Sequence, residues 1–188
     1  DMGARMTGRV GIWNMGLLGI VQEEFEDVDA TDIIVGRLAA NVLEESTAGF
    51  IFTSGDPQSN LDNRLFGVDF NYRNSRLPDG KRLDAGFWYQ QSDTDGLSGD
   101  DAAYGIAVSY PSQTGLRGSV SYAEVQENFN PALGFVSRSD IRQFASDVGY
   151  TRRFTDKYID NITFGVDFAR VNLIDGGLQT QNLVLQPL

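Results

Sequence analysis

The chain of 188 residues contains no cysteine and no histidine, and its formal net charge is −11. Without cysteine there are no disulfides, thiolate metal sites or thiol nucleophiles. Without histidine there are no Ser-His or Cys-His dyads and no side chain suited to proton transfer near neutral pH. The acidic charge argues against a nucleic-acid partner, because phosphate binding requires basic residues. No apolar run approaches the roughly 18 residues of a transmembrane helix.

The first half of the chain predicts six β-strands from the alternation of apolar and polar side chains. The predicted strands lie at 4–12, 16–22, 33–42, 47–53, 64–73 and 81–91. The pattern is clearest where Phe66, Val68, Phe70 and Tyr72 alternate with polar or small residues. A tight reversal is expected at 13–15. Residues 33–42 also have a helical alternative, because LAANVLEES is rich in helix formers, but the β-branched start favours a strand.

The second half predicts five more strands. These lie at 104–110, 116–123, 142–152, 162–168 and, with a weaker pattern, 178–185. Asp175 and Gly176 offer a hairpin turn before the last strand. The sequence therefore predicts an all-β, antiparallel chain of roughly ten or eleven strands, with residues 1–188 forming a single β-barrel domain or barrel segment.

The connections between the predicted strands alternate between short and long. This alternation places the long connections on one rim of the sheet and the short ones on the other, as in outer-membrane barrels. A soluble sandwich has no reason to segregate its loops in this way. The short turn at Asp175 and Gly176 is an exception, because a long connection is expected there.

Charged side chains of both signs alternate with the apolar ones in the predicted strands. In a barrel they would face a polar or water-filled lumen and pair across it. The alternative is the solvated face of a soluble antiparallel sheet, which has the same local pattern. The predicted lumen-facing residues are Arg5, Arg9, Arg37, Asp69, Arg73, Arg82, Asp84, Arg117, Asp147 and Asp167.

Strand length and aromatic residues favour the membrane. Several predicted strands have roughly the 9 to 11 residues that a strand needs to cross a bilayer. Aromatic side chains near strand ends suit an interfacial girdle, namely Trp13, Tyr72, Tyr89, Tyr110, Tyr122 and Tyr150. We therefore expect an up-and-down transmembrane β-barrel in the outer membrane of a Gram-negative bacterium, with outer-membrane lipid as its partner.

Four stretches of the chain carry a family resemblance. They read GARMTGRVGIWNMGLLGIVQEE, IIVGRLAANVLEESTAGFIFTS, NRLFGVDFNYR and ENFNPALGFVSRSDIRQF. In this order they resemble the C-terminal barrel of a family of bacterial envelope proteins of uncharacterised activity, in which a sandwich similar to family-9 carbohydrate-binding modules precedes the barrel. The resemblance implies that these residues are a segment of a larger barrel. It also implies a saccharide or other envelope proteins as further partners.

Two acidic loops are candidates for binding a hard cation such as calcium, which takes oxygen ligands. The first holds Glu23, Glu24, Glu26, Asp27 and Asp29, and the second holds Asp93, Asp95 and residues 98–101. Neither has EF-hand spacing, so a solvated loop is the stronger interpretation, and we predict no resident cofactor or metal.

Two further features concern the polar side chains and the longest loop. Asp69 and Asp84 would do acid-base chemistry if they faced each other on neighbouring strands, but ion pairs with Arg73 and Arg82 are the stronger prediction. The NFNPALGF stretch would form a constriction or plug if it folded inward. Its alternative is an Asn-Pro turn tucked under Phe129 and Phe135.

The function predicted from these features is passage, binding or anchoring at the bacterial surface. One alternative is a barrel-borne hydrolase or saccharide-processing enzyme, motivated by the carboxylates and the family's sandwich module. The second alternative is a soluble β-sandwich adhesin or binding module, motivated by the acidic loops.

Overall fold

Eleven antiparallel strands form one sheet in the computed structural model, which describes residues 1–155 and 159–187. Each strand pairs with its neighbours in sequence, so the topology is an up-and-down meander. The strands are β1 (Met2–Val10), β2 (Trp13–Gln22), β3 (Thr31–Val42), β4 (Ser46–Ser54), β5 (Asn63–Leu77), β6 (Lys81–Thr94), β7 (Ala102–Tyr110), β8 (Gly115–Val125), β9 (Ile141–Arg153), β10 (Asn161–Leu173) and β11 (Leu178–Pro187). The all-β antiparallel prediction is confirmed, with eleven strands.

The strands have between 9 and 15 residues, and most extend beyond their predicted bounds. The extension arises because a strand continues through residues that break the apolar alternation as long as a neighbour pairs with its backbone. A single turn of 3₁₀ helix, Pro78–Gly80, joins β5 to β6. Among the described residues, no helix has the length and the apolar character needed to cross a membrane.

The first reversal lies at 11–12 and not at 13–15 as predicted. Trp13 already belongs to β2, where it pairs with Val10. Gly11 has a φ of 58°, which glycine adopts without steric cost and which permits a two-residue hairpin turn. The prediction was wrong because Trp13 and Met15 continue the alternation of β2 back to the turn.

The segment predicted at 33–42 is a strand, and its helical alternative is wrong. Residues of β3 pair with β2 on one side and with β4 on the other. Strand pairing on both sides outweighs the helix propensity of the Leu-Ala-Ala stretch, because propensity is a weak preference that tertiary context overrides.

The register divides the sheet into an apolar face and a polar face. Directly paired residues project from the same face, so the assignment extends from β5 to every strand. The apolar face carries Phe66, Val68 and Phe70 of β5, and the polar face carries Asp69 and Arg73. Phe66 and Val68 are exposed, and no second layer covers the apolar face in the described part of the chain. Among the described residues, a buried cluster of Leu65, Ala103 and Phe129 lies on the polar face.

The sheet is open, because β1 and β11 are its two edges and do not pair with each other in the described residues. We call the rim with connections 23–30, 55–62, 95–101, 126–140 and 174–177 the long rim. The short rim has connections 11–12, 43–45, 78–80, 111–114 and 154–160, the last of them only partly described. The longest connections lie on the long rim as predicted, with two exceptions: the turn at 174–177 has four residues, and connection 154–160 on the short rim has seven, as many as 95–101.

Candidate functional site

The polar face collects the charged residues that the sequence singled out. By the register, all ten of them project from this face: Arg5, Arg9, Arg37, Asp69, Arg73, Arg82, Asp84, Arg117, Asp147 and Asp167. Period-two alternation alone accounts for this result, because strands without a bulge keep their faces over their full length. We therefore treat the polar face as the candidate functional surface.

Arg37 reaches across a whole strand to pair with Asp69. Its Nη1 lies 2.6 Å from Oδ2 of Asp69, although Arg37 belongs to β3 and Asp69 to β5. Gly49 of β4 lies beneath this pair, and a Cβ atom there would stand 2.6 Å from Oδ2 of Asp69. The missing side chain at Gly49 is what allows the two charges to meet over the middle strand.

Asp84 binds two arginines. Oδ1 of Asp84 accepts a 2.9 Å hydrogen bond from Nε of Arg73, its direct partner on β5. Oδ2 lies 2.6 Å from Nε of Arg82, two residues earlier on β6. The carboxylate therefore links two positive charges that would otherwise repel each other on one face.

Arg117 of β8 follows the same pattern as Arg37. Its side chain passes over Gly149 of β9, where a Cβ atom would lie 2.5 Å from Nε of Arg117. Its Nη2 donates to Oε1 of Gln186 on β11 at 3.3 Å, and Nε2 of Gln186 donates to Asp167 at 2.7 Å. Hydrogen-bonded polar side chains thus connect β8 with β10 and β11 across β9.

Asp147 and Asp167 are direct partners on β9 and β10. Asp147 accepts a hydrogen bond from Ser119 of β8, and Asp167 accepts from Gln186 of β11. The two carboxylates are therefore held by neutral donors on opposite sides, which turns them away from each other.

A concavity of about 680 Å³ lies against the middle of the polar face. Its lining includes Asp69, Arg73, Asp84 and Trp88. The concavity therefore presents charges of both signs beside an aromatic ring.

The structure does not bring Asp69 and Asp84 together as an acid-base pair. Trp88 is the direct partner of Asp69 on β6, and Arg73 is the partner of Asp84. Four residues of strand separate the two positions, which corresponds to roughly 13 Å. The paired carboxylates of glycoside hydrolases lie within about 10 Å of each other.

The acidic loops do not assemble as metal sites in the described part of the chain. No group of three or more acidic side chains there is close enough to hold a metal ion. The backbone N–H of Asp29 donates to Asn60 at 2.7 Å, which ties the first acidic loop to connection 55–62.

The NFNPALGF stretch divides its two phenylalanines between two environments. Phe129 is 6 % exposed and packs against Leu65 and Ala103 on the polar face, whereas Phe135 is 88 % exposed. The predicted turn tucked under both rings is therefore wrong for Phe135. The stretch folds over the polar face through Phe129.

A buried charge on the apolar face was missed by the sequence reasoning. Glu124 is buried near the long rim and accepts hydrogen bonds from Nε of Arg142 at 2.7 Å and from the Tyr122 hydroxyl at 2.8 Å. Tyr104 is its direct partner on β7. Counting the alternation of β8 two residues past Tyr122 would have placed Glu124 on this face, but the predicted strand ended at 123.

A carboxylate clamp closes the short rim between β4 and β5. Glu45 accepts hydrogen bonds from the Ser75 hydroxyl at 2.6 Å and from the Ser75 backbone N–H at 3.0 Å. These hydrogen bonds, followed by the nearby charge of Arg76, hold the pKa of Glu45 below its ordinary value. The clamp fixes the turn at 43–45 to the end of β5.

Comparison with known proteins gives no match: no family model, no curated protein and no solved structure aligns significantly with this chain.

Proposed function

We propose that this chain is part of a bacterial outer-membrane β-barrel that lets polar solutes pass. The observation that carries the proposal is the contrast between the two faces of one uncovered sheet. Phe66, Val68 and their neighbours on the apolar face are exposed, while the opposite face holds ion pairs such as Arg37 with Asp69. Lipid would surround the exposed apolar side chains, and water in the lumen would solvate the charged ones.

Aromatic side chains on the apolar face support this proposal. Four of them lie towards the short rim, namely Trp13, Tyr72, Tyr110 and Tyr150, and three lie towards the long rim, namely Tyr89, Tyr104 and Tyr122. All seven share the apolar face by the register. Two such rows are what the two interfaces of a bilayer favour.

Strand length supports a membrane-spanning sheet, and the two rims support one orientation of it. Strands of 9 to 15 residues are long enough to cross the hydrocarbon layer when tilted. In outer-membrane barrels the long connections face the outside of the cell. The acidic connection 23–30 would then lie at the cell surface, where surface saccharides or other envelope proteins would be its partners.

Closure of the barrel needs more strands than these. Neighbouring strands alternate in direction, so β1 and β11 of the meander run the same way. A fully antiparallel barrel that contains this sheet requires an odd number of further strands. We retain the resemblance to the larger envelope barrels as part of the proposal.

The experiment that tests the proposal is refolding of the full-length protein into detergent or lipid, followed by circular dichroism and gel mobility with and without boiling. A β spectrum with a compact band that shifts on boiling is expected. A protein that stays soluble and monomeric without detergent would overturn the proposal. Solute passage is then measured by conductance in planar bilayers.

Neither alternative function gains an observation. The hydrolase would need paired carboxylates, but Asp69 and Asp84 are apart and bind arginines. The soluble sandwich would need two packed sheets, whereas the described residues form one.

A further inference from the structure

Residues 126–140, which connect β8 to β9, do not project away from the long rim. We call this stretch the inward segment. It leaves the end of β8, yet from Gln126 to Asn130 its contacts lie on β7, β6, β5 and connection 95–101, while the carbonyl of Asp140 at its other end accepts a hydrogen bond from Ile174. Three strand spacings separate β8 from β5, which is roughly 14 Å at about 4.8 Å per strand. The first part of the inward segment therefore runs across the long-rim ends of β7, β6 and β5.

Two buried polar side chains bind its backbone, and a third, Thr94, binds one of these two. The Oγ of Ser92 accepts a 2.9 Å hydrogen bond from the N–H of Asn130, and Nδ2 of Asn63 donates to the carbonyl of Asn130 at 2.8 Å. Nδ2 of Asn63 also lies 2.7 Å from Oγ1 of Thr94, its direct partner on β6. Burying a polar group costs free energy unless it is hydrogen-bonded. These hydrogen bonds therefore favour a single position of the inward segment on the sheet.

The start of the inward segment is tied to the neighbouring connection. The N–H of Asn128 donates to the carbonyl of Asp100 at 2.9 Å, and its side-chain amide donates to Gly99 at 2.9 Å. The N–H of Ala102 donates to Oε1 of Gln126 at 2.9 Å. These bonds fix the first turn of the inward segment over the end of β7.

Phe129 supplies the apolar anchor. It packs against Leu65 of β5 and Ala103 of β7, and Val136 packs against the same cluster. Leu65 and Ala103 project from the polar face, because Leu65 pairs with Ser92 and Ala103 with Gln90. The inward segment therefore lies on the side that faces the interior of the proposed barrel and not on the lipid side.

We infer that the inward segment is a fixed partial closure of the pore, which sets the size limit for solutes at the long rim. The inference rests on the proposed barrel and names the part of the chain that decides what passes. Buried hydrogen bonds and a buried ring make the closure a permanent part of the fold.

The matched pair Phe129→Ala and Phe135→Ala tests the inference in the full-length protein. In planar bilayers, Phe129→Ala is expected to raise the conductance about two-fold and to admit larger polyethylene glycols, because a loosened closure widens the pore. Phe135→Ala should leave the conductance and the size limit for polyethylene glycols unchanged, since the exposed Phe135 ring does not hold the inward segment on the sheet. If the wild type inserts without conducting, Phe129→Ala should create conductance.

A gentler pair covers the case in which Phe129→Ala does not fold. Ser92→Ala removes a hydroxyl that accepts from Asn130 and donates to the carbonyl of Asp101, and Ser137→Ala removes an exposed hydroxyl of the inward segment. Ser92→Ala should raise the conductance, as Phe129→Ala does, and Ser137→Ala should leave it unchanged. Variants that all keep the heat-shifted band and the wild-type conductance overturn the inference alone. A wild type that never inserts overturns the proposed barrel itself.

Discussion

Trp88 of β6 covers Gly105 of β7 so closely that a Cβ atom on residue 105 would lie 2.7 Å from the indole Nε1. The same Cβ would lie 3.0 Å from the carbonyl oxygen of Tyr122, so neither neighbour can move aside easily. Gly105→Ala is therefore expected to reduce the free energy of unfolding by about 1 to 3 kcal/mol through overpacking. Denaturant unfolding in lipid vesicles, followed by tryptophan fluorescence, measures this.

The control for that variant is Gly36→Ala. A Cβ atom on Gly36 of β3 meets nothing within 4 Å, and glycine within a strand is less stable than alanine by about 0.5 kcal/mol or more. This variant should be unchanged or slightly more stable. Equal destabilisation by both substitutions would contradict the role assigned to Trp88.

A lysine substitution on the apolar face tests whether this face contacts lipid or water. Val68 of β5 is 42 % exposed and Leu61 in connection 55–62 is 48 % exposed, so an aqueous surface would tolerate lysine at either position. In a bilayer, Val68→Lys should reduce the free energy of unfolding by about 2 to 4 kcal/mol. Leu61→Lys should stay within about 0.5 kcal/mol of wild type. Unfolding in lipid vesicles measures both, and equal tolerance would argue against a lipid-facing surface.

Loss of the Asp84 carboxylate should change ion selectivity. Asp84→Asn leaves Arg73 and Arg82 without the carboxylate that binds both, so the reversal potential in a salt gradient should shift towards anions. The stability change should be below about 1 kcal/mol, because these side chains are partly exposed and screened by solvent.

Asp175→Asn is the matched control for that measurement. It removes the same charge from an exposed turn of the long rim, where Asp175 forms no ion pair with any other described residue. We expect a smaller shift in reversal potential. An equal shift from both variants would mean that net charge, and not the polar face, determines selectivity.

The Glu45 clamp predicts a pH-dependent stability difference. Hydrogen bonds from Ser75 lower the pKa of Glu45 in the folded chain, so their contribution is fully present above the ordinary carboxyl pKa. It is lost as the pH falls through the lower, folded pKa. The unfolding midpoint of Ser75→Ala should therefore lie below that of wild type at neutral pH, and the two midpoints should converge in acid.

Ser112→Ala serves as the comparison for the clamp. Its hydroxyl donates to the carbonyl of Thr114 in a short-rim turn and has no hydrogen bond to a carboxylate in the part of the chain that the structure describes. Its effect on the midpoint should not depend on pH in the acid range. A Ser75→Ala difference that stays constant with pH would show that the Glu45 carboxylate does not carry the effect.

The sequence alone determined the strands, the two faces and the segregation of the rims. These features are local, because period-two alternation assigns each side chain to a face and turn residues end each strand. All ten charged residues could therefore be placed on one face before any pairing was known. The incorrect prediction of the first reversal at 13–15 also has a local cause, since a two-residue turn leaves almost no break in the alternation of apolar and polar residues.

Only the tertiary structure decided which residues meet. Arg37 of β3 pairs with Asp69 of β5, because the register places Gly49 of β4 beneath the two side chains. Phe129 is buried and Phe135 exposed, although both are phenylalanines of one loop without periodicity. Register and loop packing depend on contacts between residues far apart in sequence, and no local pattern encodes them.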